Sequence, residues 1–310
     1  MGVEPAVGKG RTVTVFGGTG LVGHAVVQLL AKQGYTVRVP TRDLEKAQSL
    51  KPLGSVGQII PLLCSLRTET SLSTALSGTE IVINLLGALY ETKESSFQSL
   101  HVETAARLAR LAHGSGVTQL VHLSAVGAKI GDVSLYLRTK AVGEEAVRAF
   151  FPEAIIFRPN LIFGPKDRFF NMFALASRYL PFLPLFGGGQ MQLQPVYVGD
   201  VAKAIVTAIE PGRCVPGVYS LAGPETFSMK EIVELLLRLT KRKRFLVPVP
   251  WPLAKLKARF FELWPEPLMT REHVELLKRD YLSDSSTKNG FLVMGFSPRA
   301  LSEVWPTYLF

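Results

Sequence analysis

Between a β-branched run at residues 12–16 and an apolar helical pattern at 21–33, the chain carries glycines at 17, 18, 20 and 23. Few local structures accommodate Gly17, Gly20 and Gly23 at such a junction. The first lets the chain turn tightly out of a strand, the second lets backbone approach a diphosphate, and the third lets the helix pack closely on the sheet. The helix start then offers free N–H groups and partial positive charge to an anion. Gly17, Thr19, Gly20, Leu21, Val22 and Gly23 are therefore the expected cradle of a dinucleotide.

Further β-like runs at 36–39, 58–63, 80–86, 120–123 and 154–158 alternate with helical patterns at 44–50, 70–76, 97–112 and 136–150. Strands separated by helices connect right-handedly into a parallel sheet covered on both faces. The expected fold is α/β, a doubly wound parallel sheet of the Rossmann type. After Pro159 the texture changes. Prolines recur at 165, 181, 184 and 195 and glycines fill 187–189, with a helix at 201–209, a strand at 218–221 and a helix at 229–240. The reading is a nucleotide-binding core at 12–160 and a smaller C-terminal lobe at 161–310, integrated with the core.

Composition narrows the function classes. With 47% hydrophobic residues the 310-residue chain can bury a substantial core. Lys and Arg number 35 against 25 Asp and Glu, a net of +10, which favours an acidic partner: a phosphorylated cofactor, an anionic membrane surface or nucleic acid. Cys64 and Cys214 lie far apart, and the five histidines show no paired ligand spacing. Neither a disulfide scaffold nor a metal site is expected. The apolar run at 81–90 contains Asn84 and falls far short of the ~18 residues of a membrane helix. Residues 1–11 lack the apolar stretch of a secretory signal, so a leader is either lacking or already removed.

The end of the second strand chooses the nucleotide. An acid expected there would hold the ribose 2′-hydroxyl, but the chain has Thr41, followed by Arg42 and Asp43. An uncompensated guanidinium at 42 suits a 2′-phosphate, hence NADP(H). Asp43 leaves two other arrangements open, as a cap for the next helix or as the partner of Arg42. The third strand runs into Leu63, Cys64 and Ser65, without the Asp that would contact adenine, and Cys64 reads as a small buried filler.

Three later features accompany the glycine loop: Asn84 to Gly87 after the fourth strand, Ser124 after the fifth, and Tyr136 with Lys140 one helical turn apart. Together they resemble the extended and atypical branch of the short-chain dehydrogenase/reductase superfamily. Runs at 57–61, 82–87, 135–144, 158–159, 162–165, 169–171, 194–198, 267–271 and 306–308 are similar to the alpha subcomplex subunit 9 family of respiratory complex I, NADH:ubiquinone oxidoreductase. That resemblance covers nearly the whole chain. It implies a tightly held NADPH in an accessory subunit with a structural role, without independent activity. The implied location is peripheral, on the matrix side of the mitochondrial inner membrane or the cytoplasmic side of a bacterial one. Leu86, Gly87, Ser124, Tyr136, Lys140 and Pro159 join the cofactor contacts on the same resemblance.

In active members of the superfamily the tyrosine protonates a carbonyl oxygen, the lysine lowers the tyrosine pKa, and a serine polarises the substrate. Tyr136 and Lys140 fit the first two roles; the serine position falls on Ser124 or on Ala125. The alternative to a structural subunit is thus an NADP-dependent reductase or sugar-nucleotide epimerase.

The C-terminal part is basic and aromatic. Lys241 to Arg244 follow a helix, whose last carbonyls they complement. Within 251–264, Leu253, Leu256, Phe260, Leu263 and Trp264 recur at helical spacing beside Lys255, Lys257 and Arg259. A core-facing helix and one lying on an anionic lipid surface would both give this pattern; the family resemblance favours contact with membrane or membrane subunits. No nucleic-acid module is present, so nucleic acid is not an expected partner.

Overall fold

The computed structural model describes residues 7–264, 267, 269–283 and 287–308. Residues 1–6, part of the stretch without a secretory pattern, and Leu268 lie outside them. The chain opens with β1 (Thr12–Phe16), α1 (Leu21–Lys32), β2 (Thr36–Thr41), α2 (Leu44–Gln48), β3 (Ile59–Leu63), α3 (Glu69–Leu76) and β4 (Ile81–Asn84). It continues with α4 (Thr104–Gly114), β5 (Gln119–Leu123), α5 (Leu135–Phe150) and β6 (Ile155–Pro159). These strands alternate in side-chain direction. Val13 and Val15 enter the core under α1, whereas Phe16 and Val82 enter the one under α3 and α4. Both faces are therefore buried, as a parallel sheet requires.

The single helix expected over 97–112 is interrupted. Residues 98–103 form a wider i→i+5 turn before α4 begins. It lies where α5 packs closest: a Cβ on Gly143 would run into the His101 carbonyl. Strand β4 also ends earlier than the apolar run suggested, because the Asn84 side-chain oxygen accepts from Leu86 N–H at 3.1 Å and turns the chain out of the sheet.

The remaining elements are β7 (Ile162–Phe163), α6 (Phe169–Tyr179), β8 (Phe182–Phe186), β9 (Gln192–Leu193), β10 (Val196–Tyr197), α7 (Val198–Ala208) and β11 (Gly217–Leu221). They are followed by β12 (Phe227–Ser228), α8 (Met229–Leu239), β13 (Phe245–Val249), α9 (Trp251–Phe261), α10 (Arg271–Leu276), β14 (Lys288–Asn289), α11 (Gly290–Met294) and α12 (Leu301–Val304). The main sheet has eight strands in the order β14-β11-β6-β5-β4-β1-β2-β3, and its pairings are parallel. Part of 161–310 thus returns to the sheet, with α7 packed beside α1 in the same core. The rest forms a lobe around Phe163, Phe170, Leu183, Leu236 and Trp305.

Helix α9 decides against one of the two alternatives for 251–264. Its buried residues are Ala254 and Ala258, packed with Met269 and Val274. The large apolar side chains face out: Leu256 is 67% exposed, Phe260 59% and Leu263 77%. The core-facing reading is therefore wrong, since small residues make the inward contact and let the helix sit close. Among the described residues no helix is long and apolar enough to cross a membrane, and no cluster of His, Cys, Asp and Glu could hold a metal ion.

Candidate cofactor site

A doubly wound sheet offers its ligand crevice where the strand order reverses, at the carboxyl ends of the strands. Here that point lies between β1 and β4, and a cleft of about 2800 Å³ opens there. Its walls include Gly17, Thr19, Gly20, Leu21, Val22, Gly23, Arg42, Leu86, Gly87, Ser124, Tyr136, Lys140 and Pro159. Every residue expected from the sequence is brought to this one cleft.

The loop's geometry explains its glycines. Gly17 has φ +78°, a conformation that L side chains rarely adopt. A Cβ on Gly23 would meet the Gly17 carbonyl and the Gly18 backbone, so α1 approaches β1 only with glycine there. Gly20 starts the helix without a side-chain cap, and no acidic residue stands in the first turn. The leading N–H groups of α1 are left for a ligand, which is the donor set a diphosphate needs.

At the far end, the alternatives for Asp43 resolve. Its carboxylate accepts from Lys46 N–H at 3.0 Å and caps α2. Arg42 meets Glu94 instead, at 3.8 Å with both side chains exposed. The guanidinium is therefore not uncompensated, contrary to the sequence expectation: Glu94 lies 52 residues downstream, and only the fold brings it near. An exposed pair of this length is weak, and a phosphate could take the arginine over. Lys46 and Arg67 also line this end, two cations that the motif reading did not single out. Cys64 is buried, and burial pushes its thiol pKa up, consistent with a filler.

The reaction end is built from α5. Ser134 caps this helix, accepting from Leu137 N–H, and donates to Glu272, a residue of α10 that also accepts from Tyr136 N–H at 3.0 Å. The lobe thus grips the helix turn that carries Tyr136. Burial pushes the Tyr136 phenol up to about 12, and nothing beside it lowers that value. Phe97 and His101 lie edge-on to its ring at 5.8 and 5.4 Å. Lys140 is buried, with Nζ donating to Leu123 O at 3.1 Å and lying within 3.5 Å of Leu86 O. Burial lowers its pKa to about 8, against a smaller opposing pull from Glu144.

Ser124 is the departure. Its hydroxyl donates to the Glu144 carboxylate, which Arg158 holds from Nε at 2.8 Å and from Nη2 at 2.6 Å. A hydroxyl has one proton to donate, and this one is committed. Beneath the same wall, Asn84 Nδ2 lies 3.1 Å from His122 Nδ1, and His101 bridges Thr139 and Ala88 N–H. Burial, with Lys140 adding repulsion, drives His122 down to about 3 and His101 to about 2. Glu144, Arg158, His101 and Glu272 escaped the motif reading. Only Glu144 left a local signal, one helical turn beyond Lys140.

Comparison with known proteins agrees with this geometry. Residues 13–222 match the model of the NAD dependent epimerase/dehydratase family. NADH dehydrogenase (ubiquinone) 1 alpha subcomplex subunit 9, mitochondrial, of Arabidopsis thaliana is 40% identical over 254 residues, which are 81% of this chain and 63% of that protein. The mouse protein of the same name is 36% identical over 279 residues, 89% of this chain and 73% of its own length. Among solved structures, UDP-glucuronic acid 4-epimerase from Bacillus cereus, with UDP-glucuronic acid and NAD, superposes with TM-score 0.75 at 18% identity, covering 96% of this chain and 98% of that one. With a nucleotide crevice on an eight-stranded parallel sheet and this identity to subunit 9 proteins, the chain belongs to the NAD dependent epimerase/dehydratase family and, within it, to the alpha subcomplex subunit 9 family.

Proposed function

We infer that this protein is an NADPH-binding accessory subunit of respiratory complex I in which the nucleotide braces the fold and is not turned over. The observation that carries the reading is the pairing of an intact nucleotide cradle with a serine whose proton is committed to Glu144. Loss of one donor to a developing oxyanion can lower a rate by about 10²-fold or more.

The chain's own residues divide the work of binding. The α1 start and the glycine loop receive the diphosphate; Arg42, Lys46 and Arg67 supply positive charge for a 2′-phosphate; Tyr136 and Lys140 hold the nicotinamide ribose; Leu86, Gly87 and Pro159 wall the crevice. When bound, NADPH would supply a transferable hydride, and the residues around it are arranged to retain it. A ligand that binds only the folded chain stabilises it by mass action. Because the crevice is walled by the loops that leave β1 and β4 together with β5 and α5, that stabilisation reaches the whole sheet.

The partners on this reading are other complex I subunits and, through 241–264, an anionic lipid surface. The protein would sit peripherally on the matrix side of the mitochondrial inner membrane, or on the cytoplasmic side of a bacterial one. The subunit 9 identity supports the first partner, and the outward apolar face of α9 with Lys257 and Arg259 supports the second.

The test is to isolate the assembly from detergent-solubilised membranes, identify its chains by mass spectrometry and assay the denatured extract for NADPH. Stoichiometric NADPH that added carbonyl compounds do not oxidise is expected. Steady turnover of that pool, abolished by Tyr136→Phe, would overturn the reading in favour of a reductase or epimerase.

A further inference from the structure

The cleft is larger than its nucleotide half, and its wall changes character where the lobe takes over. Lys166, within 3.5 Å of His24 on α1, and Arg168 stand at the head of α6. Beyond them, α6 presents Phe169, Met172, Phe173 and Ala176 to the cleft, and Leu180 follows in extended backbone just past its end. The four helical positions fall at i, i+3, i+4 and i+7, one apolar stripe along the helix. Across the cleft, α9 contributes Leu256 and Phe260.

The charges of this half stand at the head of α6 and at the mouth, not along the stripe. Asp167 turns its carboxylate to Phe170 N–H at 2.7 Å and to the Asn171 amide. His273 also lines the wall, and burial lowers its pKa; Lys257 stands at the mouth. A sugar nucleotide carries two phosphates that call for cations or helix starts in their wall; Lys166, Arg168 and the α6 start offer these at one end only, and the apolar stripe beyond them supplies neither. Met172 and Leu180 remain 40% and 43% exposed, apolar surface that a long alkyl chain would cover.

We propose that the lobe side of the cleft is a binding chamber for a lipid with one long alkyl chain, its polar head toward Tyr136 and its tail along the α6 stripe. Leu256 and Phe260 belong both to the chamber wall and to the outward face of α9. The chamber therefore opens on the surface assigned above to lipid, beside Lys257 at its mouth. Only this entry route rests on the lipid-facing reading; the chamber stands on its own wall. Each buried methylene adds to the driving force, so a long tail outweighs the ordering cost of binding.

The experiment titrates the full-length, NADPH-loaded protein with cis-parinaric acid and follows its fluorescence. Saturable binding of one equivalent is expected, displaced by hexadecanol and unaffected by UDP-glucose. Met172→Glu and Leu180→Lys should each weaken binding at least about tenfold, because a charge must then be buried beside the tail. NADPH retention reports that the variants are folded. Unsaturable binding, displacement by UDP-glucose, or unchanged affinity in folded forms of both variants overturns the proposal. If the protein ignores anionic vesicles yet still binds cis-parinaric acid in this manner, the chamber stands and the lipid-facing reading of α9 falls.

Discussion

Ser124 and Glu144 are joined by a buried hydrogen bond in which the serine is the donor, and Arg158 holds the carboxylate with two bonds of its own. Ser124, one of the two positions that the sequence offers for polarising a substrate, is thereby part of the framework between β5, α5 and β6; the other, Ala125, has no hydroxyl. Ser124→Ala should leave NADPH retention intact and lower stability by only about 1 kcal/mol, the worth of one such bond. Glu144→Ala strips the guanidinium of its paired carboxylate and should cost about 2–3 kcal/mol, Arg158 being partly open to water. Denaturant unfolding of the two variants distinguishes them. If Ser124→Ala instead removes a carbonyl-reducing activity, the serine is catalytic.

Glu94 competes with any 2′-phosphate for the Arg42 guanidinium. Arg42→Ala should weaken NADPH by about tenfold while leaving NADH affinity nearly unchanged, since only NADPH carries the group it would bind. Glu94→Gln should tighten NADPH modestly. Calorimetric titration of apo protein with both nucleotides decides it. Equal losses for NADPH and NADH would remove the basis for NADP preference.

The glycine loop and its βαβ setting were legible because both rest on local chemistry: turns, helix starts and periodicity of 2 or 3.6 residues. All the motif residues do line one cleft. Glu94 beside Arg42, Arg158 beside Glu144 and Glu272 on the Ser134 cap were not legible, because each pairing is made by residues 14 to 138 positions apart. Helix α6 was missed for another reason. Prolines before and after it, at 165 and 181, mask an apolar stripe whose inner side builds the lobe core. In α9 the periodicity was correct but its meaning ambiguous, until the two alanines showed which side faces in.

The two buried histidines make an acid-sensitive element. His101 and His122 stay neutral in the fold down to about 2 and about 3, whereas in the unfolded chain they take up protons below about 6.5. The unfolded state therefore binds more protons as pH falls through 6.5, and stability falls with it. By pH 5 each histidine accounts for a loss of about 2 kcal/mol relative to pH 7. His101→Phe and His122→Gln should each flatten the stability–pH curve between 7 and 5 by about that amount, whatever they do to stability at pH 7. Curves parallel to wild type would show that these rings titrate normally.

Two glycines are fixed by contact and should fail differently. Gly23→Ala drives a methyl group into the Gly17 carbonyl and must displace the loop. NADPH affinity should fall by more than about 100-fold, with a smaller loss of apo stability. Gly143→Ala presses on the His101 carbonyl, between α5 and the wide turn before α4. It should cost about 3 kcal/mol in stability and reduce NADPH affinity only through that loss. Thermal melts with and without NADPH separate the two: the nucleotide-induced rise in Tm disappears in the first and persists in the second.

If the proposed lipid contact of α9 holds, its outward face sets how the protein binds vesicles. Leu256 and Phe260 are exposed on a helix whose inner contacts are alanines, so replacing them with serine should leave the fold and the NADPH site intact. Inserting a leucine or phenylalanine side chain into a lipid interface is worth about 1.5–3 kcal/mol, so the double variant should bind anionic vesicles at least about 100-fold more weakly. Lys257 and Arg259 act through charge, near 1 kcal/mol each at an anionic surface. Lys257→Gln and Arg259→Gln should therefore weaken binding in low salt and converge on wild type as salt screens the field. Lys255 is a less informative position, since it already pairs with Glu275 at 2.9 Å. Co-sedimentation with phosphatidylglycerol-containing and purely phosphatidylcholine vesicles supplies the measurement. If wild type binds both vesicles alike, or if the double serine variant binds as wild type does, α9 is not the membrane contact and its apolar face belongs against another subunit.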